Sequence, residues 1–123
     1  MKTSACADIM IVEDDKVSAL DIKAAVEKLG HRVCATVSSG EEALDTLKKL
    51  RPDLILMDIV LDGEIDGIEA VTAIMEVLDI PVIYVTAYTD EATRKRAEET
   101  SAAAFLSKPV DPAALAAAIK KAL

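Results

Sequence analysis

Residues able to carry phosphoryl chemistry follow short apolar segments at four points along the chain. They are Glu13, Asp14 and Asp15 after the first segment, Asp58 after the third, Thr86 at the end of the fourth and Lys108 after the fifth. Carboxylate oxygens unaccompanied by histidine or cysteine suit Mg²⁺ or Mn²⁺ rather than zinc. A lysine adds positive charge and a threonine adds a hydroxyl donor for phosphoryl oxygens. A carboxylate nucleophile with these partners is typical of a phosphoryl-transfer site.

Taken singly, each of these residues has a simpler explanation. Asp15 is better explained as the N-cap of a helix. Asp58 alone would be a polar loop residue, Thr86 a strand residue, and Lys108 before Pro109 a solvated lysine. Their joint occurrence at the ends of four different apolar segments favours one common site.

The apolar segments are short and rich in β-branched residues, which is typical of strands buried on both faces of a parallel sheet. They span residues 9–12, 33–37, 54–57, 81–86 and 103–106. Segments of helical periodicity alternate with them. We therefore predict an α/β protein with five parallel strands, helices on both faces and the flavodoxin-like strand order 2-1-3-4-5. Ligands of such sheets bind where the strand order reverses, here beyond the ends of strands one and three.

Capping residues mark where the helices begin. Ser39-Gly-Glu-Glu42 predicts a capping box for the second helix, and Asp66-Gly-Ile-Glu69 opens the third. Asp111 followed by Pro112 predicts the start of the last helix. The fourth helix, after Asp90, is polar and has the weakest apolar pattern.

Length, composition and charge exclude several classes of function. A chain of 123 residues predicts one domain, with a core of about residues 8–123 after a short extension of residues 1–7. The net charge of −8 argues against direct binding to nucleic acid, and the aromatic content of 2% argues against base-stacking surfaces. No apolar run reaches the roughly 20 residues that span a bilayer. Cys6 and Cys34 form no CxxC pair, so we expect reduced thiols in a cytoplasmic protein.

The ordered set of motifs resembles the receiver domain of two-component response regulators. The matching stretches are Glu13-Asp14-Asp15, Asp53-Leu-Ile-Leu-Met-Asp58, Asp66-Gly67, Val85-Thr86-Ala87 and Phe105-Leu-Ser-Lys108-Pro109. The resemblance covers the chain from about Asp8 to Leu123. It implies a signalling switch, not a turnover enzyme, that accepts a phosphoryl group from a histidine kinase or phosphotransfer protein. It further implies control of an unknown output protein or domain, by a monomer or a phosphorylation-dependent dimer.

The resemblance also implies roles for the acidic residues. Asp58 would be the phosphoacceptor. Asp14 would bind Mg²⁺ through its carboxylate, Glu13 through a bound water, and Val60 through its backbone carbonyl.

Further roles follow for the residues on the last two strands. Lys108 would pair with the Asp58 carboxylate and then with the phosphoryl group, and Thr86 would donate a hydrogen bond to a phosphoryl oxygen. Phe105 occupies the position of the family's switch aromatic and would turn inward behind Thr86; it is otherwise a static core residue. Pro109 implies a cis peptide bond after Lys108.

Two positions depart from the commoner family residues. Val60 and Tyr88, each two residues after a site residue, would flank the path of a hydrolytic water, and neither can position that water. We therefore predict slow self-dephosphorylation. The acidic loop Asp62-Gly-Glu-Ile-Asp66 either tunes the site or is simply solvated.

Three other functions agree less well with these residues. A phosphohydrolase of the haloacid-dehalogenase type would need a second acid where Val60 stands. A flavodoxin-like FMN carrier would need a Ser/Thr/Gly-rich phosphate loop after the first strand, where the three acids lie. A phosphorylation-independent interaction module would not need the complete set of site residues. Since no further domain follows Leu123, we expect either a stand-alone regulator or a piece of a larger one.

Overall fold

Five parallel strands form one sheet in the computed structural model, which describes residues 6–123. The elements are β1 (Asp8–Val12), α1 (Lys16–Lys28), β2 (Arg32–Val37), α2 (Gly40–Thr46), β3 (Leu54–Met57), α3 (Gly67–Val77), β4 (Val82–Thr86), α4 (Glu91–Glu98), β5 (Ala104–Ser107) and α5 (Pro112–Ala122). The order β2-β1-β3-β4-β5 confirms the predicted topology. Most of the predicted N-terminal extension, residues 1–5, lies outside the described part.

The sheet separates two apolar layers. Side chains alternate between faces along a strand, so each inner strand supplies both layers. One layer holds Met10, Val12, Ile55, Met57, Val82 and Tyr84, and the other holds Ile9, Ile11, Leu54, Leu56, Ile83 and Val85. All of these side chains are buried, which explains why the strands read as continuous apolar runs. Burial of each such side chain contributes roughly 1.5–3 kcal/mol of transfer free energy. Together they fix the strands, and so the edge of the sheet at which the carboxyl ends of the strands lie.

Most of the predicted helix caps are present. The side chain of Asp15 accepts a hydrogen bond from Ser18 N, and Asp90 and Asp111 cap α4 and α5 in the same way. Asp66 forms a reciprocal capping box with Glu69 at the start of α3. The chain therefore enters these helices at the residues that the sequence indicates.

The capping box predicted for α2 is only half correct. Ser39 accepts from Glu42 N at 3.1 Å, as expected. The Glu42 carboxylate, however, accepts from the hydroxyl and amide of Ser38 rather than from Ser39 N. The helix ends at Thr46.

Helix α4 is held mainly by polar contacts. Ala97 is its one buried residue. Arg96 forms an ion pair with Asp66 at 3.0 Å, and the Arg94 guanidinium lies 4.8 Å from the centre of the Phe105 ring. These contacts explain how a segment with little apolar character packs against the sheet.

No helix within residues 6–123 combines the length and the apolar character needed to cross a bilayer. Cys6 is exposed and Cys34 is half-buried, and both carry free thiols.

Candidate functional site

The carboxyl ends of β1 and β3 bring the acidic residues together. Glu13 N donates to Val37 O and Asp58 N donates to Val12 O, each at 2.9 Å, so the parallel ladder continues one residue beyond both strands. This fixes Glu13 and Asp58 side by side at the edge of the sheet. One carboxylate oxygen each from Glu13, Asp14 and Asp58 lies within 4.8 Å of the other two. The predicted convergence of these three acids is what the structure shows.

This cluster is electrostatically costly. Glu13 and Asp58 are 3% and 6% exposed, so little water reaches their charges. Two unit charges 4.8 Å apart repel by about 1 kcal/mol at the dielectric constant of water and by roughly 3–4 kcal/mol at an effective value of 20. A nearby cation is therefore needed to stabilise the folded pocket.

Lys108 supplies one such cation from the end of β5. Its Nζ donates to Asp58 Oδ2 at 3.0 Å and also to Glu13 Oε1. Burial opposes the ammonium charge, but the hydrogen bonds to the two carboxylates outweigh burial and raise the pKa of Lys108. The peptide bond to Pro109 is cis, as the resemblance implied. Lys108 is therefore a charged group shared between two acids.

Glu13 is held by two further contacts. Its Oε1 accepts from the Ser18 hydroxyl at 2.9 Å and its Oε2 accepts from Asp15 N at 3.1 Å. Burial raises the pKa of Glu13, more than the hydrogen bonds from Lys108 and the Asp15 amide lower it. Ser18 was not identified from the sequence, although a hydroxyl in the first turn of the helix after β1 is a usable signal for a residue that orients Glu13.

Asp58 is oriented by its own loop. Its Oδ1 accepts from Ile59 N at 2.7 Å, while Oδ2 faces Lys108. Gly67 N donates to Ile59 O at 2.7 Å, which folds the start of α3 against this backbone. A Cβ on Gly67 would lie 1.9 Å from the carbonyl oxygen of Asp58, so only glycine fits there. This close approach of the backbone explains why glycine follows Asp66 in the motif.

Thr86 lies on β4, the strand next to β3 in the sheet, and its side chain is hydrogen-bonded to the backbone. It ends β4, is fully buried, and its Oγ1 accepts from Tyr88 N at 3.2 Å. Lys108 N donates to Thr86 O at 2.9 Å, which ties the two predicted site residues through the backbone. Val60 and Tyr88 are 44% and 53% exposed.

The ring of Phe105 lies next to that of Tyr84, which is fully buried. Its ring centre is 6.1 Å from that of Tyr84, and the ring is half-buried under Arg94. The Thr100 hydroxyl donates to Ala97 O at 2.6 Å, so in the 2.8 Å contact between Tyr84 and Thr100 the tyrosine is the donor. Burial raises the pKa of Tyr84 to about 12, which keeps that hydroxyl protonated. Sequence reasoning did not identify Tyr84.

The donor set fits a hard divalent cation. It consists of carboxylate oxygens, without nitrogen or sulfur ligands, which is the preference of Mg²⁺ and Mn²⁺. Three ionised carboxylates and one ammonium leave a charge of −3 + 1 = −2 in the pocket. A dication balances that charge.

Comparison with known proteins agrees with this geometry. The family model "Response regulator receiver domain" matches residues 9–120. The phyllosphere-induced regulator PhyR of Methylorubrum extorquens is 37% identical over 94% of this chain and 43% of its own length. The polar-differentiation response regulator DivK of Brucella anthropi is 37% identical, covering 83% of this chain and 84% of the relative. The signal receiver domain of a modulated diguanylate cyclase from Desulfovibrio desulfuricans superposes with a TM-score of 0.89 at 33% identity, over 95% of this chain and 93% of that one.

The chain spans about half the length of several of the curated relatives it matches. Receiver domains are signalling switches of two-component systems rather than turnover enzymes, which agrees with the expectation from the sequence and not with the phosphohydrolase alternative. They bind Mg²⁺ at an acidic pocket and interact with histidine kinases or phosphotransfer proteins and with output domains. On the family match and the shared identity, this chain belongs to the response regulator receiver domains.

Proposed function

We propose that this chain accepts a phosphoryl group on Asp58 from a phosphohistidine of a histidine kinase or phosphotransfer protein. The observation that carries the proposal is the shared lysine: Lys108 donates to both Asp58 and Glu13 at the point where three acids converge. A carboxylate that only solvated a loop would be exposed, whereas Asp58 is 6% exposed and fixed by two donors.

In the transfer, a carboxylate oxygen of Asp58 forms a bond to phosphorus as the bond from phosphorus to the partner's histidine nitrogen breaks. Glu13, Asp14, Asp58 and the backbone carbonyl of Val60 would hold Mg²⁺ or Mn²⁺, Glu13 through a water molecule. The ion supplies charge neutralisation for the phosphoryl oxygens. Lys108 orients the Asp58 carboxylate before the reaction and pairs with the phosphoryl group after it.

The response of the protein would begin at Thr86. Its hydroxyl accepts from Tyr88 N, which leaves its proton free to be donated to a phosphoryl oxygen. A shift of Thr86 would let the Phe105 ring turn inward beside Tyr84, and a cavity of about 180 Å³ between α4 and β5 borders both rings. This change would shift an existing equilibrium between two states and alter the surface offered to an output protein or domain, in a monomer or a phosphorylation-dependent dimer.

We also propose a cytoplasmic location, because the two free thiols suit a reducing compartment and the implied phosphoryl donors act there.

The test is the intact mass of the chain after incubation with acetyl phosphate and Mg²⁺. We expect one added phosphoryl group on the native chain, and none on Asp58→Asn or in the presence of a chelator. Asp53→Asn is the matched control, because Asp53 lies at the opposite end of β3 and its carboxylate accepts from Asp8 N at 2.8 Å. This control is expected to be phosphorylated like the native chain. An Asp58→Asn chain that gains the same mass would refute the proposal.

A further inference from the structure

The loop that follows Asp58 is attached to the first turn of α2 by one carboxylate. Glu41 lies in that exposed first turn, and its Oε2 accepts a hydrogen bond from Glu64 N at 2.7 Å. The two residues are 23 positions apart, so the contact is tertiary. A short parallel bridge between Ser39 and Asp62 brings the same two segments together. The acidic loop of residues 62–66 therefore contacts the start of α2 and is not simply solvated.

Gly63 shows how close this contact is. Its φ is +92°, in the region that favours glycine, and a Cβ on it would lie 2.5 Å from Oε1 of Glu41. The glycine conformation turns the Glu64 amide toward α2 while leaving room for the carboxylate. Both oxygens of Glu41 thus lie against the backbone of residues 63 and 64.

The loop connects the phosphorylation site to α3. It starts with Val60, the proposed backbone ligand of the metal ion, and ends at Asp66, the N-cap of α3. Asp62, in its middle, lines the same groove as Glu13 and Asp14. The start is fixed by the bond from Gly67 N to Ile59 O and the middle by Glu41. Val60 and Asp62 therefore lie between two attached points of the loop, Ile59 and Glu64.

We propose that Glu41 is a positioning residue for the metal-binding part of the phosphorylation site. It holds the loop of residues 60–66 so that the Val60 carbonyl and the Asp62 carboxylate remain at the acidic groove. The proposal rests on the proposed function, since it needs a metal ion bound by Glu13, Asp14 and Asp58. It assigns the loop a tuning role and rejects the alternative of a purely solvated segment.

A general helix-end effect must be separated from this role. Any acid in the first turn of a helix interacts favourably with the helix dipole. Glu42 lies in the same turn and carries the same charge, so it is the control for exchange of the Glu64 amide. Because Glu42 itself lines the acidic groove, the comparison of Kd values uses the two Glu41 variants only. The Glu42 carboxylate accepts from Ser38 and does not hold the loop. Loss of charge is thus common to both positions, while loss of the loop contact is specific to Glu41.

The experiment compares Glu41→Ala, Glu41→Gln and Glu42→Ala with the native chain. Calorimetric titration gives the Kd for Mg²⁺, and amide hydrogen exchange reports the Glu64 N–H. One net hydrogen bond is worth about 1 kcal/mol, so Glu41→Ala is expected to weaken Mg²⁺ binding about fivefold and to speed exchange of the Glu64 amide. Glu41→Gln keeps a carbonyl acceptor and is expected to restore both properties. Glu42→Ala is expected to leave exchange of the Glu64 amide unchanged, because its carboxylate accepts from Ser38 and not from the loop.

The outcomes separate this inference from the proposed function. Native Mg²⁺ affinity in Glu41→Ala would overturn the inference while leaving phosphorylation of Asp58 standing. Equal weakening in Glu41→Ala and Glu41→Gln would also overturn it, because loss of charge alone would then explain the effect. A native chain that neither binds Mg²⁺ nor gains a phosphoryl group would refute both.

Discussion

Removing the ammonium of Lys108 is the most informative perturbation of the pocket. Lys108→Met keeps most of the aliphatic stem but leaves Glu13 and Asp58 facing each other without their shared donor. The side chains of these acids are 1% and 8% exposed, so solvent replaces the lost interaction poorly. We expect the variant to be markedly less stable than the native chain in the absence of divalent cations.

The size of the effect follows from the geometry. A unit charge pair at the 3.0 Å separation of Lys108 and Asp58 is worth roughly 1.4 kcal/mol at the dielectric constant of water and roughly 5–6 kcal/mol at an effective value of 20. Removing one partner of a buried ion pair costs about 3–5 kcal/mol of stability in proteins. Because the Lys108 side chain is 18% exposed, we expect a cost at the lower end of this range. About 3 kcal/mol corresponds to a fall in Tm of about 12 °C for a chain of this size.

The variant should depend on pH in a defined direction. Burial raises the pKa of Glu13 above its ordinary 4.5, and the Lys108 hydrogen bond opposes that rise. Without Lys108 the pKa of Glu13 rises further. The contribution of a protonated Glu13 to the free energy of unfolding is fully present below pH 4.5. It is lost as the pH rises through the raised pKa that Glu13 has in the folded chain. The free-energy difference between native and variant chains is therefore expected to grow as the pH increases from about 4.5.

Urea unfolding followed by circular dichroism measures this difference with a chelator and with saturating Mg²⁺. Because a dication replaces the lost positive charge, the difference is expected to shrink when Mg²⁺ is present. Lys120→Met, which removes an exposed lysine from the last turn of α5, serves as the control and is expected to change stability little. A Lys108→Met chain as stable as the native one, or a loss that Mg²⁺ does not reduce, would refute the electrostatic reasoning.

Three further changes test other parts of the structure. Asp66→Ala removes the capping box of α3 and an ion pair to α4, so we expect urea unfolding to show a loss of about 1–2 kcal/mol, and no loss would contradict the cap. Tyr84→Phe removes a buried hydroxyl donor, for which the same assay should give a loss of about 1 kcal/mol; an unchanged midpoint would argue against that hydrogen bond. The double variant Val60→Ala, Tyr88→Ala should lose its phosphoryl group several-fold faster than the native chain, measured by mass against time. A rate close to native would count against steric exclusion of the hydrolytic water.

Much of the architecture could be predicted because local signals and the global fold agree. Residues 54–57 were predicted as a strand and form β3 without a shift at either end. One rule, that parallel strands end at a common edge of the sheet, predicted that the acids and Lys108 lie close together. The topology places residues 95 positions apart, such as Glu13 and Lys108, at the same edge of the sheet, but their direct contact was not predicted, since the resemblance pairs Lys108 with Asp58.

The features that could not be predicted are polar side-chain contacts, some between distant segments and one within a single turn. Arg96 meets Asp66 across 30 residues, and Glu41 meets Glu64 across 23, and no periodicity in the sequence reports either contact. Glu42 was assigned to Ser39 by motif, but the neighbouring Ser38 offers both a hydroxyl and an amide and binds its carboxylate instead. Polar contacts of this kind follow from side-chain geometry, which sequence spacing does not fix.

The most direct measurement identifies the residue that carries the phosphoryl group. The chain is phosphorylated with acetyl phosphate and Mg²⁺, reduced with borohydride so that an aspartyl phosphate becomes homoserine, digested, and sequenced by mass spectrometry. We expect homoserine at Asp58 alone, and none when a chelator is present. Homoserine at Asp14 or at another aspartate, with Asp58 unmodified, would contradict the account of the pocket.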